Sequence, residues 1–197
     1  MSAGSLAKLA SAKLPELLPH LEAADPVKAA LGACASTPEA LELLVARGLM
    51  SEAVKLLALA MPRREAVWWV CMCARSTAPA EMSPPDAAAL EAAELWVRRP
   101  TEEHRRAAFD FAEKAKFATP EAWACAAAFW SGGSISLPGL PPVEPPPHLP
   151  ALAISGAVVL ASVREKPDRQ PERLVRFIAS AREIAAGGTG RLPQETD

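Results

Sequence analysis

Cys71-Met72-Cys73 is the first place in this sequence where side-chain types and spacing suggest chemistry. Two thiols and a thioether are soft ligands that suit Cu(I) or Zn. On a helix, however, positions i and i+2 point about 200° apart, so the two thiols cannot share an ion without unwinding. No second Cys/His pair stands at ligand spacing. The expectation is therefore core cysteines, with no metal and no cofactor. His20, His104 and His148 form no local Ser/His/Asp or Cys/His arrangement. His104 stands in Glu102-Glu103-His104-Arg105-Arg106, where solvent exposure is expected. Gly132-Gly133 and Gly187-Gly188 follow helices, as stops do, whereas phosphate loops place their glycines before a helix. No residue pattern points to catalysis. A triad assembled from distant residues leaves no local signature, so a dispersed pocket site stays open as an alternative.

Arg63-Arg64, Arg98-Arg99 and Arg105-Arg106 raise the question of phosphate contact, but Glu65, Glu94, Glu102 and Glu103 are interleaved with them. A mixed solvated surface is expected, and nucleic-acid binding through the arginine pairs is a second alternative. Trp68 and Met72 stand out more. On the helix from Arg63 to Arg75 the broad apolar face is Ala66, Val67, Trp69, Val70, Cys73 and Ala74. At 100° per residue Trp68 and Met72 fall on the other side, among Arg64, Glu65 and Arg75. Either a second helical layer covers that side, or Trp68, Met72, Arg64 and Arg75 form a partner-binding patch of hot-spot composition. Trp123 and Trp130, seven apart, read as core.

The elements that hold these residues are helices. Asp25-Pro26, Thr37-Pro38-Glu39, Ser51-Glu52, Asp86, Thr101-Glu102-Glu103 and Thr119-Pro120-Glu121 all carry N-terminal capping chemistry. With stops at Gly48, Pro100 and Gly132, the spacing predicts helices over 26–35, 37–47, 51–61, 63–76, 86–99, 101–118, 120–131, 150–165 and 171–186. Residues 1–24 read as proline-broken helical turns. The helix from Pro171 buries Leu174, Phe177, Ile178, Ala181, Ile184 and Ala185, and exposes Glu172, Arg173, Arg176 and Glu183. The helix from Asp86 turns Trp96 inward and Glu91, Glu94 and Arg98 outward. Ala122–Trp130 and Ala151–Val163 carry no charge on any side, so both are expected at the centre, with Gly156 allowing close backbone approach. Seven prolines between Leu137 and Pro150 predict an extended polyproline strap.

Half of the chain is hydrophobic, mostly alanine and leucine, and it has no tyrosine, which favours helix over strand. A net charge of −2 supplies no global attraction to nucleic acid or anionic membrane. The longest apolar run is shorter than the roughly 18 residues of a bilayer span, and the N-terminus lacks a signal peptide's uninterrupted apolar region. The expected class is all-α: an irregular stack or bundle of about nine short helices, located in the cytoplasm. The expected organisation is an N-terminal segment over 1–24, one helical domain over 25–187 with the strap at 137–150 inside it, and a disordered tail over 188–197.

Four stretches resemble an uncharacterised family of small bacterial helical proteins. They are Ala66-Val67-Trp68-Trp69 with Cys71 and Cys73, Ala92-Ala93-Glu94-Leu95-Trp96-Val97, Pro100-Thr101-Glu102-Glu103, and Ala128-Phe129-Trp130-Ser131-Gly132-Gly133-Ser134. The resemblance spans residues 38 to 188 and implies a neighbourhood of type VI secretion components, without carrying site residues over. The expected function is a non-catalytic protein-interaction module, adaptor or chaperone-like, for a secretion-system component or effector. Its partner is another protein, no membrane is engaged, and a homo-oligomer is compatible with the alanine-rich faces.

Overall fold

The computed structural model describes residues 6–195, and its fold is all-α, an irregular helical stack with no strand among the described residues. Two one-turn helices, α1 (Ala7–Ala10) and α2 (Leu14–Leu17), and a 3-10 turn at Leu18–His20 lead into the longer elements. These are α3 (Asp25–Gly32), α4 (Thr37–Ala46), α5 (Met50–Ala60), α6 (Arg63–Ser76), α7 (Pro84–Arg98), α8 (Glu102–Lys114) and α9 (Pro120–Trp130). After the proline strap come α10 (Leu149–Val163), a 3-10 turn at Pro167–Arg169, and α11 (Gln170–Ala185).

Capping chemistry sets most of these boundaries, with shifts of a residue or two from the expected positions. Thr101 and Thr119 cap α8 and α9 as read. Ser36 rather than Thr37 caps α4, because the Thr37 hydroxyl is buried and donates to the Ala12 carbonyl (2.7 Å), tying the N-terminal segment down. Ser83 rather than Asp86 caps α7, and no side chain caps α3 or α5. At the C-terminal ends, Gly48 and Gly187 take the left-handed conformation that closes α4 and α11 with paired 6→1 and 5→2 bonds.

Helix α9 is the centre: α6, α7, α8 and α10 all pack on it, and only Trp123 and Trp130 along its length are not fully buried. These two tryptophans are half-buried and meet edge to face at the rim of the core, not inside it as expected. Helix α10 bridges α9 to α5, α6 and α11. It is not enclosed: Leu152 is 50% exposed and Val159 37% exposed. Nor does Gly156 mark a close helix crossing, since a Cβ there would meet nothing within 4 Å. Among the described residues no helix is long and apolar enough to cross a membrane.

Several charges expected on the surface are buried, because each satisfies a helix end or an opposite charge. Glu94 is buried between Arg75 and Arg98. Arg105 is buried and donates to the carbonyls of Phe129 (2.5 Å) and Ser134 (2.7 Å) while pairing with Glu102. Gly133 allows this: it has φ +67°, and a Cβ there would stand 3.0 Å from the Arg105 guanidinium. The proline strap is not one extended run. It folds back on itself, with Ile135 N–H donating to the Val143 carbonyl (2.8 Å). Prolines offer carbonyls but no N–H; Arg63 donates to the Pro147 carbonyl (2.8 Å), and Arg106 donates to that of Ser136 (2.9 Å) just before the strap.

The deepest charge is Glu121, fully buried in the first turn of α9, where a carboxylate complements the helix dipole. Arg164, just past α10, pairs with it at 2.5 Å and also donates to the carbonyls of Ala74 and Thr77 at the end of α6. Removing one partner of a buried pair leaves an uncompensated charge. Glu121→Ala should therefore lower unfolding free energy by about 3–5 kcal/mol in urea titrations. A Glu121→Met/Arg164→Met double variant should be more stable than either single variant.

Candidate functional site

The four residues of the expected patch do not form one surface. Trp68 is half-buried: its indole rests on the core, and its Nε1–H donates to the Thr189 carbonyl (2.8 Å). The neighbouring Trp69 is fully buried and donates to the Phe177 carbonyl (2.8 Å). Arg64 is exposed beside Trp68, its Nε donating to the Val97 carbonyl at the end of α7. Met72 is only 6% exposed and belongs to the core, so it cannot contact a partner. Arg75 is turned away into a bidentate pair with Glu94 and borders a different groove, between α7 and α8. What covers Trp68 in part is not a second helical layer but the chain after α11.

Trp68 and Arg64 line one shallow groove of about 320 Å³ together with the carboxylate of Glu65, the cations Lys8 and Arg98, and the apolar Val97 and Ile184. Lys8 pairs with Glu65 (3.0 Å) and Arg98 with Glu94 (3.5 Å). Among the described residues Arg64 pairs with no carboxylate, which leaves it the cation open to an incoming acid. An aromatic face beside an uncompensated guanidinium can hold an apolar side chain flanked by an acid.

The chain after α11, read as a disordered tail over 188–197, is seated over its described part, 188–195. It runs back along α11 in the groove beside α6. Ser180 Oγ donates to the Gly190 carbonyl (2.5 Å), and Glu195 N–H donates to the Ser76 carbonyl (2.8 Å). The Glu195 carboxylate takes hydrogen bonds from Arg173 (2.8 Å), Arg176 (2.8 Å) and Arg169 (3.2 Å). Arg173, expected on the solvent face, is 3% exposed, because it also donates to the carbonyls of Ser162, Arg164 and Lys166 at the end of α10. The spacing 169, 173, 176 places the three arginines on one helical face and is legible in the sequence. Their acid partner is not, since nothing local links it to them.

The other chemical candidates are engaged elsewhere. His104 is half-buried and its Nδ1 lies 2.8 Å from the Arg99 carbonyl. His20 and His148 stack at 6.1 Å between ring centroids. Among the described residues no three His, Cys, Asp or Glu side chains converge as a metal site requires. Burial pushes the thiols of Cys71 and Cys73 well above the usual range and that of Cys125 up to about 12.

A thiol reacts as its thiolate. In the folded protein only the half-buried Cys34 should react with a disulfide reagent on the time scale of minutes, and all four thiols should react after denaturation. Hydrogen bonds from Arg173, joined by the charges of Arg169 and Arg176, hold the Glu195 carboxyl below its ordinary value of 4.5. A depressed carboxyl pKa stabilises above the unfolded value and loses that contribution as pH falls through the folded one. The stability difference between wild type and Glu195→Gln should thus be full at pH 6 and shrink below about pH 4, read from urea midpoints.

No curated protein and no solved structure gives a significant match to this chain. The sequence profile of a family of unknown function (DUF6931) matches residues 40–185, from within α4 to the last residue of α11. The matched stretch holds Trp68, Arg64 and the three arginines, and stops short of Glu195. The chain belongs to this family.

Proposed function

We propose that this protein is a non-catalytic interaction module of the cytoplasm, an adaptor or chaperone-like protein that docks another protein in the groove at Trp68. One observation carries the reading: a half-exposed tryptophan shares a groove with a guanidinium that pairs with no acid among the described residues. Tryptophan and arginine are the residue types that dominate interface energetics. The arginine pairs lend less support to a phosphate-binding reading, because Arg63, Arg105 and Arg106 donate to the chain's own carbonyls and Arg98 and Arg105 pair with acids. The sequence resemblance makes a component or effector of type VI secretion the first partner to test.

The test is affinity capture of tagged protein from its host, comparing wild type with Trp68→Ala and Arg64→Glu by mass spectrometry. Both variants should fold, since Trp68 is only half-buried and its truncation costs less than the roughly 3–5 kcal/mol of a fully buried tryptophan. Arg64 is exposed, so its reversal leaves the core intact. A specific partner retained by wild type should be reduced at least about ten-fold in each variant, the equivalent of roughly 1.4 kcal/mol. A partner held equally by all three proteins would place the docking surface elsewhere.

A further inference from the structure

We infer that the groove between α6 and α11 is a receptor for an extended peptide anchored by a carboxylate, and that residues 188–195 occupy it as a tethered stand-in for a partner's segment. This deepens the docking reading above and rests on it, because Thr189 and Gly188 of the same segment border the Trp68 groove.

The centre of the receptor, Arg173, is held independently of the occupant, and Arg169 pairs with Glu172, whereas Arg176 donates to the segment itself. Arg173 is oriented by the carbonyls of Ser162 (3.1 Å), Arg164 (2.7 Å) and Lys166 (3.4 Å), so its guanidinium stays aimed whether or not Glu195 is there. Arg164 is itself fixed by buried Glu121. Preorganised arginines that receive a carboxylate through several donors are what anion recognition requires.

The occupant, by contrast, is held largely through main-chain groups that any extended peptide supplies, with longer side-chain bonds from Thr189 (3.4 Å) and Gln194 (3.3 Å). Trp68, Ser180 and Arg176 donate to the main-chain carbonyls of Thr189, Gly190 and Pro193. Leu192 is half-buried, while Arg191, Pro193 and Gln194 are exposed. A segment with so little apolar burial opens at low cost relative to the core, and Gly187 and Gly188 give it a hinge. The groove also states what it accepts. A Cβ at position 190 would stand 2.3 Å from the Ile184 side chain and 2.9 Å from the Ser180 carbonyl. A partner segment therefore needs a glycine five residues before its acid, an apolar residue between them, and no side chain that must be enclosed elsewhere.

The probe is a fluorescent peptide of the chain's own residues 187–195, titrated by anisotropy against full-length proteins. In wild type the tethered segment competes at an effective concentration in the millimolar range, so binding should be weak. Glu195→Ala and Gly190→Val each free the groove, one by removing the anchor and one by steric expulsion, and leave the arginines in place. Each should bind the peptide at least about ten-fold more tightly than wild type, and a peptide carrying Gln for the final Glu should lose most of that gain. Using two variants keeps the test decisive should one fail to fold. Folded variants that bind no better than wild type would overturn the inference and leave the segment a structural staple. A dimer formed by exchange of segments between copies would also overturn it, by making a second copy the occupant. Host capture through Trp68 that excess peptide does not compete would sink this inference while the docking reading stands. Peptide binding with no host protein captured would do the reverse.

Discussion

The buried Glu121–Arg164 pair is the contact on which the arrangement of helices depends. It joins the start of α9, the end of α10 and the end of α6. Coulomb attraction between the two is offset by the cost of taking both from water, so its net contribution to stability is modest. Its main effect is positional. The faces of α9 and α10 are lined with alanine, and small, uniform side chains pack almost equally well over a range of helix rotations. A buried charge pair tolerates only one, because any other leaves an ion without a partner.

That pair also begins a longer chain of contacts. The Arg164 carbonyl accepts from Arg173, and Arg173 meets Glu195. Charge compensation thus runs from the centre of the stack to the segment lying across its surface. The same logic recurs where Arg105 and Arg106 secure the loop after α9 and Arg63 secures the proline strap. Arginine suits this work, since its planar fork reaches several carbonyls at once and its charge is retained on burial. An ordinary count of charged residues therefore overstates how much of this protein's charge faces solvent.

These contacts shape the surface around Trp68. Trp68 stands at the edge of α6 where the core stops and the segment after α11 begins, so its exposure depends on how firmly that segment is seated. The Glu195 carboxylate, several main-chain bonds, the half-buried Leu192 and the side chains of Thr189 and Gln194 hold the segment in place. The proposed docking groove and the arginine cluster are linked by this segment, which touches Trp68 at Thr189 and Arg173 at Glu195.

Sequence alone determined the helical class and the extents of most helices. Capping residues, glycine stops and the period of apolar residues are local, so they act within a turn or two of the chain. It also identified Trp68 and Arg64 as facing away from the apolar side of α6. It did not place Met72, Glu94, Arg105 or Arg173 in the interior. Whether a polar side chain can be buried depends on finding a partner, and the partner of Glu121 lies 43 residues away, that of Arg173 22 residues away. Nor could it show that residues 188–195 are seated, because an extended segment has no period and takes its hydrogen bonds from other elements. Helices are decided by neighbours in sequence. Buried charges and the cover over Trp68 are decided by neighbours in space, which only the tertiary structure supplies.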